Sequence, residues 1–378
     1  MLLEYRQSLL IYFYFFDQIP MKKTITLFSL LGGLFAVTPV QAAYQLFDLS
    51  AYLDASNNYA FSSALNDNNG ATGVDSSFNA TYWTGSAAQN LSTLGGSSGM
   101  AFGVNNINQV VGWSNLAGNT NWHATLWNNS TSPTDLGTLG GSNSEAFAIN
   151  NSGNAVGWSH NTSGDSRATL WSGSNIIDLG AINGSTESEA YGINASNQIV
   201  GLSIVGSTRY ATAWSYDGSN VTVTDLGFGE AYAINDSGTI IGISGNNAVR
   251  WDGSISSTLD TLGSTSNAYD INNAGIIVGN SRVGNTYHGA LWSGTTVTDI
   301  NSLLEQSVID DGWFISDAFS INDNGNILAY AEDAQGNEKT VLLFTASTTA
   351  VPETDLSLMI VVGLCLIGFK RRRFKQLV

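Results

Sequence analysis

The chain has 378 residues, of which 11% are charged and 11% are aromatic, and 41 of them are glycine. Aromatic residues between glycine-rich stretches favour an all-β protein over a disordered chain, because they supply a packed core. Residues 43–352 contain five Lys and Arg against 26 Asp and Glu, a net charge of −21. So acidic a surface repels phosphate groups and argues against nucleic acid as a partner.

The first 42 residues predict an N-terminal extension followed by a secretory signal peptide. Met21 starts the signal, with Lys22 and Lys23 before the apolar run ITLFSLLGGLFAV and small residues that end at Ala42. This order of basic, apolar and small residues is typical of a cleaved export signal. We therefore expect Met21 to be the true start and the mature chain to begin near Ala43. An N-terminal membrane anchor is the alternative, although the run is short for a span.

Residues 43–346 repeat a unit of four short strands. In residues 145–180 the runs AFAIN, AVGWS, RATLW and IIDLG each have the length of a strand, and Asn, Ser and Gly clusters between them supply turns. Seven such units predict an all-β fold, a seven-bladed β-propeller with four-stranded antiparallel blades. The copies are marked by the Asn that ends strand one: Asn66, Asn105, Asn150, Asn194, Asn235, Asn272 and Asn322.

Each strand of the unit has its own signature. Strand one carries an Ala-aromatic pair such as Ala146-Phe147, and strand two carries a glycine such as Gly157, which we interpret as the place where neighbouring blades touch. Strand three ends in Trp in six copies, and Phe344 is expected to replace it in the seventh. We expect these rings to anchor the packing between sheets, with exposed sugar-stacking rings as the alternative. The tryptophans are Trp83, Trp127, Trp171, Trp214, Trp251 and Trp292.

The seventh copy lacks a fourth strand at its C-terminal side. The signature of strand four, Asp-Leu, appears instead at Asp48-Leu49, before the first copy begins. We therefore predict that the N-terminal strand 44–50 completes the last blade. Such closure leaves no free edge pair for aggregation and ties the two ends of the ring together.

The C-terminal tail has three parts. Residues 347–355 form a linker that contains VPET, and residues 356–378 contain a short apolar segment followed by a basic cluster, which stays cytoplasmic under the positive-inside rule. This order resembles the PEP-CTERM sorting signal. The resemblance implies an exosortase-type protease as partner, transient insertion into the inner membrane, and release to the cell surface or extracellular matrix of a Gram-negative bacterium. An ordinary C-terminal anchor is the alternative. The sorting residues are Pro352, Glu353, Arg371, Arg372 and Arg373.

The repeats resemble the HAF family of extracellular repeats over residues 44–344. The matching segments are DLGTLGG at 135–141, the A-[FY]-x-I-N first strands, and HATLW at 123–127. The resemblance implies a repeat architecture and an extracellular destination. It carries no established chemistry to this chain.

Four acidic residues occupy the position before the Ala-aromatic pair, so a propeller places them at one rim, around the channel mouth. Carboxylates there could bind Ca²⁺ or accept hydrogen bonds from sugar hydroxyls, and a solvated turn position is the alternative. We expect no cofactor, with Ca²⁺ as the possibility left open. These residues are Glu145, Glu189, Glu230 and Asp317.

The segment 301–316 (NSLLEQSVIDDGWFIS) lengthens the last loop between blades and is a second candidate binding region. Long loops on rigid scaffolds often carry function. Its candidate residues are Glu305, Asp310, Asp311 and Trp313.

The sequence has no P-loop, and its single cysteine forms no metal-binding pair with a histidine. We therefore expect a non-catalytic, secreted protein of the cell surface or the biofilm matrix that binds exopolysaccharide or another surface protein. The alternative is a carbohydrate-active hydrolase or lyase, which requires two carboxylates about 5–10 Å apart in one pocket.

Overall fold

The computed structural model describes residues 43–53, 63–75, 77–128 and 132–345. Within these residues the chain forms seven antiparallel sheets arranged around a channel, so the predicted seven-bladed β-propeller is confirmed. The signal peptide and the sorting tail, predicted at 1–42 and 347–378, lie outside the described residues. In the part that is described, no helix has the length and apolar character needed to cross a membrane.

The strands follow one another as consecutive antiparallel neighbours within each blade, because Asn- and Gly-rich turns reverse the chain after every run. We number the blades from 1 to 7 in chain order. The strands are β1 (Tyr44–Asp48); β2 (Ala71–Val74), β3 (Ala80–Trp83) and β4 (Ala88–Asn90) in blade 1; β5 (Gly95–Val104), β6 (Gln109–Leu116), β7 (Trp122–Asn128) and β8 (Pro133–Gly137) in blade 2; β9 (Gly140–Ile149), β10 (Ala155–Asn161), β11 (Ser166–Ser172) and β12 (Asn175–Asp178) in blade 3; β13 (Glu187–Ile193), β14 (Gln198–Val205), β15 (Thr208–Tyr216) and β16 (Val221–Phe228) in blade 4; β17 (Glu230–Ile234), β18 (Thr239–Ser244), β19 (Asn247–Asp252) and β20 (Ile255–Thr258) in blade 5; β21 (Ser266–Ile271), β22 (Ile276–Val283), β23 (Thr286–Ser293) and β24 (Thr296–Asp299) in blade 6; and β25 (Phe314–Ile321), β26 (Ile327–Glu332) and β27 (Glu338–Thr345) in blade 7.

Strand β1 closes the ring as predicted. It pairs antiparallel with β27, so that Tyr44 lies opposite Thr345 and Asp48 opposite Val341, and it becomes the outermost strand of blade 7. Leu49, which follows it, is fully buried. The two ends of the propeller therefore share one sheet, and hydrogen bonds along that sheet hold the ring shut.

Tryptophans from strand three anchor the packing between blades. They are 0–4% exposed, and all six belong to hydrophobic clusters that join two adjacent blades. In one cluster, Leu170 of blade 3 packs with Ile199 and Trp214 of blade 4. The alternative of exposed sugar-stacking rings is therefore wrong for these residues.

Leu343, and not Phe344, takes the tryptophan position in blade 7. In blade 6, Trp292 lies opposite Ile277, five residues after Asn272, and in blade 7 the residue opposite the equivalent Ile327 is Leu343. Leu343 is fully buried, whereas Phe344 is only half-buried. The sequence VLLF offers several apolar residues in a row, and only strand pairing selects one of them.

The asparagines that end strand one form a closed ring of hydrogen bonds, which we call the Asn ring. Each side-chain Nδ2 donates to the main-chain carbonyl of the equivalent Asn in the next blade, and the last bond, from Asn322 to Asn66, is 2.9 Å long. The Oδ1 atoms accept main-chain N–H groups of their own turns. One residue type therefore shapes each turn and joins it to its neighbour.

Candidate binding site at the channel mouth

An aromatic side chain enters the channel from the first strand of each of blades 2 to 7. In every one of these strands the aromatic residue is skipped by the pairing with strand two: in blade 4, Gly201 pairs with Ala190 and Val200 with Gly192, which leaves Tyr191 as a β-bulge. A bulge re-aims its side chain. The six residues, which we call the aromatic lining, are Phe102, Phe147, Tyr191, Tyr232, Tyr269 and Phe319.

The strand-two glycine lets strand one of its own blade approach closely at this bulge. Our interpretation of this glycine as the contact between neighbouring blades is therefore wrong. A Cβ on Gly201 would lie 1.9 Å from the carbonyl oxygen of Glu189, which belongs to strand one of the same blade. The blades instead meet at the small residue after the aromatic, since a Cβ on Gly192 would lie 3.0 Å from the carbonyl oxygen of Tyr232 in blade 5. Small residues at both positions let the backbones approach closely.

The aromatic lining surrounds a cavity of about 620 Å³. Consecutive rings are in contact from blade 2 to blade 6, with centroid distances of 5.5 Å for Phe102 and Phe147, 5.6 Å for Phe147 and Tyr191, 6.0 Å for Tyr191 and Tyr232, and 6.1 Å for Tyr232 and Tyr269. The channel therefore has an almost continuous aromatic wall, in which the tyrosines also present hydroxyl groups.

Four carboxylates lie at the end of the channel opposite the Asn ring, because they precede the aromatic residue on strands that all run the same way. We call them the carboxylate arc. Glu189 lines the cavity itself; its charge acts on Glu145 in blade 3, and the charge of Glu230 in blade 5 acts on Glu189. The structure thus places three of the sequence-predicted rim residues in the adjacent blades 3 to 5 and the fourth, Asp317, in blade 7. The members of the arc are Glu145, Glu189, Glu230 and Asp317.

Neutral donors hold two members of the arc. The Trp122 indole donates to Glu145 Oε1 at 2.8 Å, and the Tyr191 hydroxyl donates to Glu189 Oε2 at 2.8 Å. Burial raises the pKa of both carboxyls, that of Glu145 to about 7, and a neighbouring carboxylate adds to each rise: Glu189 for Glu145, and Glu230 for Glu189. Glu145 is therefore partly protonated near neutral pH.

The other two members have different surroundings. Glu230 forms an ion pair with Arg209 of blade 4, with Nη1 2.7 Å from Oε1. Asp317 is 8% exposed and accepts a hydrogen bond from Asn280 Nδ2 at 3.0 Å, while its Oδ1 is buried with no hydrogen-bond partner among the described residues. Burial raises the pKa of Asp317 to about 7.

We expect Glu145→Gln to reduce the pH dependence of stability. The folded-state pKa of about 7 lies above the ordinary 4.5, so the protonated acid favours folding; this contribution is complete below pH 4.5 and is lost as pH rises through 7. Between about pH 5 and pH 8 the free energy of unfolding should therefore fall less in the variant, by on the order of 2 kcal/mol. Urea denaturation at both pH values measures the free energies of unfolding. An equal change in this free energy between the two pH values in the two proteins would contradict the prediction.

The loop 301–316 contacts strand β1, the strand that closes the ring, and the sequence did not reveal this contact. The main-chain N–H of Glu305 donates to the Tyr44 carbonyl at 2.9 Å, and the side-chain Oε1 of Glu305 accepts from Gln45 Nε2 at 3.0 Å. These two hydrogen bonds join the loop to strand β1. Trp313 is half-buried against the core of blade 7. The loop contains a 3-10 turn at Ile300–Leu303 and helix α1 at Gln306–Asp310, and its exposed carboxylates are Asp310 and Asp311.

Asp270 is a channel residue that the sequence reading missed. It occupies the place after the aromatic where the other blades have Gly, Ala or Ser, and it accepts hydrogen bonds from the Ser320 hydroxyl at 2.8 Å and the Ile321 N–H at 2.9 Å in blade 7. Burial raises its pKa to about 6. Its departure from the small-residue pattern was the available signal. In the described part of the chain, no cluster of three or more His, Cys, Asp and Glu is arranged to hold a metal ion.

The fold and the site define a seven-bladed β-propeller whose channel mouth combines aromatic rings with carboxylates. No family model and no curated protein matches the chain. Among solved structures it is similar to TolB from Acinetobacter baumannii, with 13% identity, a TM-score of 0.37, and coverage of 62% of this chain and 63% of that one. It is also similar to Porphyromonas gingivalis dipeptidyl peptidase 4, with 8% identity, a TM-score of 0.37, and coverage of 73% and 52%. The chain spans less than two thirds of either protein.

Proposed function

We propose that this protein is a non-catalytic β-propeller that binds polysaccharide at the carboxylate end of its channel. One observation carries the proposal: six bulges aim six aromatic rings into a single cavity beside the carboxylate arc. Aromatic faces pack against the apolar faces of sugar rings, and carboxylates and tyrosine hydroxyls hydrogen-bond their hydroxyl groups. A carbohydrate site needs both kinds of contact.

The distribution of the acids supports binding rather than hydrolysis. Each member of the carboxylate arc comes from a different blade, and each has its own donor: Trp122, Tyr191, Arg209 or Asn280. A glycosidase instead uses one acid and one nucleophile or base across a single bond. The hydrolase or lyase alternative is therefore the second candidate.

The proposed destination is the cell surface or the extracellular matrix of a Gram-negative bacterium. Its support is the order of segments in the sequence: a signal peptide from Met21, a propeller, and a tail with Pro352-Glu353 and a basic end. In this proposal an exosortase-type protease removes the tail after transient insertion into the inner membrane. Exopolysaccharide of the same cell is then the ligand nearest to the protein.

The test is a glycan array and the host exopolysaccharide, probed with the purified full-length protein with and without Ca²⁺. We expect saturable binding to a set of polysaccharides and no release of reducing sugar, because the acids are spread over several blades. Released sugar would favour the hydrolase or lyase. Binding only to surface proteins, and to no glycan, would contradict the proposal.

A further inference from the structure

We propose that the channel mouth selects polysaccharides whose sugars carry free ammonium groups, with the cation held between the tyrosine rings and the carboxylate arc. The inference rests on the proposed function and names its substrate class. It applies to amino sugars with free amines, as distinct from neutral, N-acetylated or uronic-acid glycans.

The charges at the mouth are unbalanced. Four carboxylates lie there with one guanidinium, that of Arg209, which pairs with Glu230. In the described residues, Glu145, Glu189 and Asp317 form no ion pair and are held by an indole, a phenol and an amide. A bound cation would replace this missing positive charge, because an opposite charge in a desolvated site favours the ionised carboxylate.

Asp317 shows where such a cation would be needed. More than nine tenths of the side chain is buried, and Oδ1 has no donor among the described residues. Its charge acts on Tyr269, which lines the cavity, so the carboxylate lies beside the aromatic wall. A buried acceptor without a donor is costly, and an ammonium group has three N–H donors to offer.

The aromatic lining adds a second attraction for a cation. Tyr191, Tyr232 and Tyr269 present their rings to one cavity and their hydroxyls toward the acid end, where the first two contact Glu189 and Glu230. Ring faces attract ammonium groups, most strongly where water is excluded. A neutral sugar would use the rings but not the charge, whereas a uronic acid would be repelled by the arc.

The experiment compares hexaglucosamine with hexa-N-acetylglucosamine by calorimetric titration of the full-length protein at about pH 6, where the amines and part of the arc are protonated. We expect hexaglucosamine to bind at least about tenfold more tightly. Binding should also release protons, seen as a dependence of the heat on the buffer, because the cation lowers the pKa of Glu145 and Asp317.

Substitutions at the channel mouth test whether the preference for hexaglucosamine over hexa-N-acetylglucosamine arises there. Asp317→Asn and Glu189→Gln are each expected to reduce the ratio of the two affinities to below about threefold, whereas Glu338→Gln, at an exposed carboxylate of blade 7, keeps it. Equal affinities for the two oligomers would overturn this inference and leave the proposed function standing. Binding of neither oligomer nor any other glycan would overturn both. Tighter binding of hexalysine than of hexaglucosamine would overturn the assignment to a saccharide.

Discussion

Gly201→Ala is expected to lower the free energy of unfolding by about 4 kcal/mol or to prevent folding, the largest effect that we predict for one added methyl group. The new Cβ would lie 1.9 Å from the carbonyl oxygen of Glu189 and 2.9 Å from the Cα of Ala190. Both atoms are backbone, so relief requires β13 and β14 to separate, which breaks their hydrogen bonds and disturbs the bulge that aims Tyr191. Urea denaturation followed by tryptophan fluorescence measures the loss.

The matched control is Gly206→Ala in the hairpin between β14 and β15. Its Cβ would meet no atom within 4 Å, but its φ of +64° disfavours a side chain. That variant should lose only about 1 kcal/mol. Equal losses at the two glycines would contradict the close approach of strands in blade 4.

Asn194→Ala is expected to lower the free energy of unfolding by about 3 kcal/mol. The side chain is 3% exposed and donates to the Asn235 carbonyl at 3.1 Å and to Gln198 Oε1 at 2.8 Å, while it accepts the N–H groups of Ser196 and Gln198. Its removal leaves the Asn235 carbonyl without this donor and breaks the Asn ring between blades 4 and 5. Thermal and urea denaturation both measure the effect.

Asn194→Asp separates the two roles of the side chain. It keeps the oxygen that shapes the turn but replaces the donor with a second oxygen that faces the Asn235 carbonyl. We expect it to be as destabilising as Asn194→Ala, whereas Asn175→Ala, at an exposed position of β12, should change stability by less than about 0.5 kcal/mol. A neutral Asn194→Asp would contradict the account of the Asn ring.

The repeat pattern predicts the blades because local signals decide their strands. Apolar runs and Asn-Gly turns are properties of a few adjacent residues, and Asp48-Leu49 could be matched to the last blade since every copy has the same order of signatures. The structure confirms both the blades and the closure by β1. The buried tryptophans follow from the same argument, because a large ring at a repeated position needs a repeated partner.

Features that depend on pairing between strands could not be predicted in this way. A bulge at Tyr191 is a relation between β13 and β14, so the alternation of apolar residues did not reveal that the aromatic residues face the channel. The carbonyl that accepts from the Asn194 side-chain amide belongs to Asn235, 41 residues away in the next blade, although the turn that Asn194 begins is made of adjacent residues. For Phe344, several adjacent apolar residues left the register open, and pairing selected Leu343.

The sequence predicted the carboxylates of the candidate site but not the aromatic rings that line its cavity. The position before the Ala-aromatic pair indicated a rim of carboxylates, and the structure supplies their donors, their burial and the neighbouring rings. The loop 301–316 shows the opposite case. Its acids and Trp313 suggested a binding region, whereas its contacts with Tyr44 and Gln45 give it a part in closing the ring.

The central claim is that the aromatic lining contacts polysaccharide, and the affinity of Tyr232→Ala for hexaglucosamine tests it most directly. Tyr232 lines the cavity, whereas Tyr210, which stacks on Phe228 at 5.0 Å, does not. The account predicts that Tyr232→Ala weakens binding about tenfold, through loss of an aromatic contact, and that Tyr210→Ala leaves it unchanged. Unchanged affinity in Tyr232→Ala, with the variant folded as judged by its denaturation curve, would contradict it.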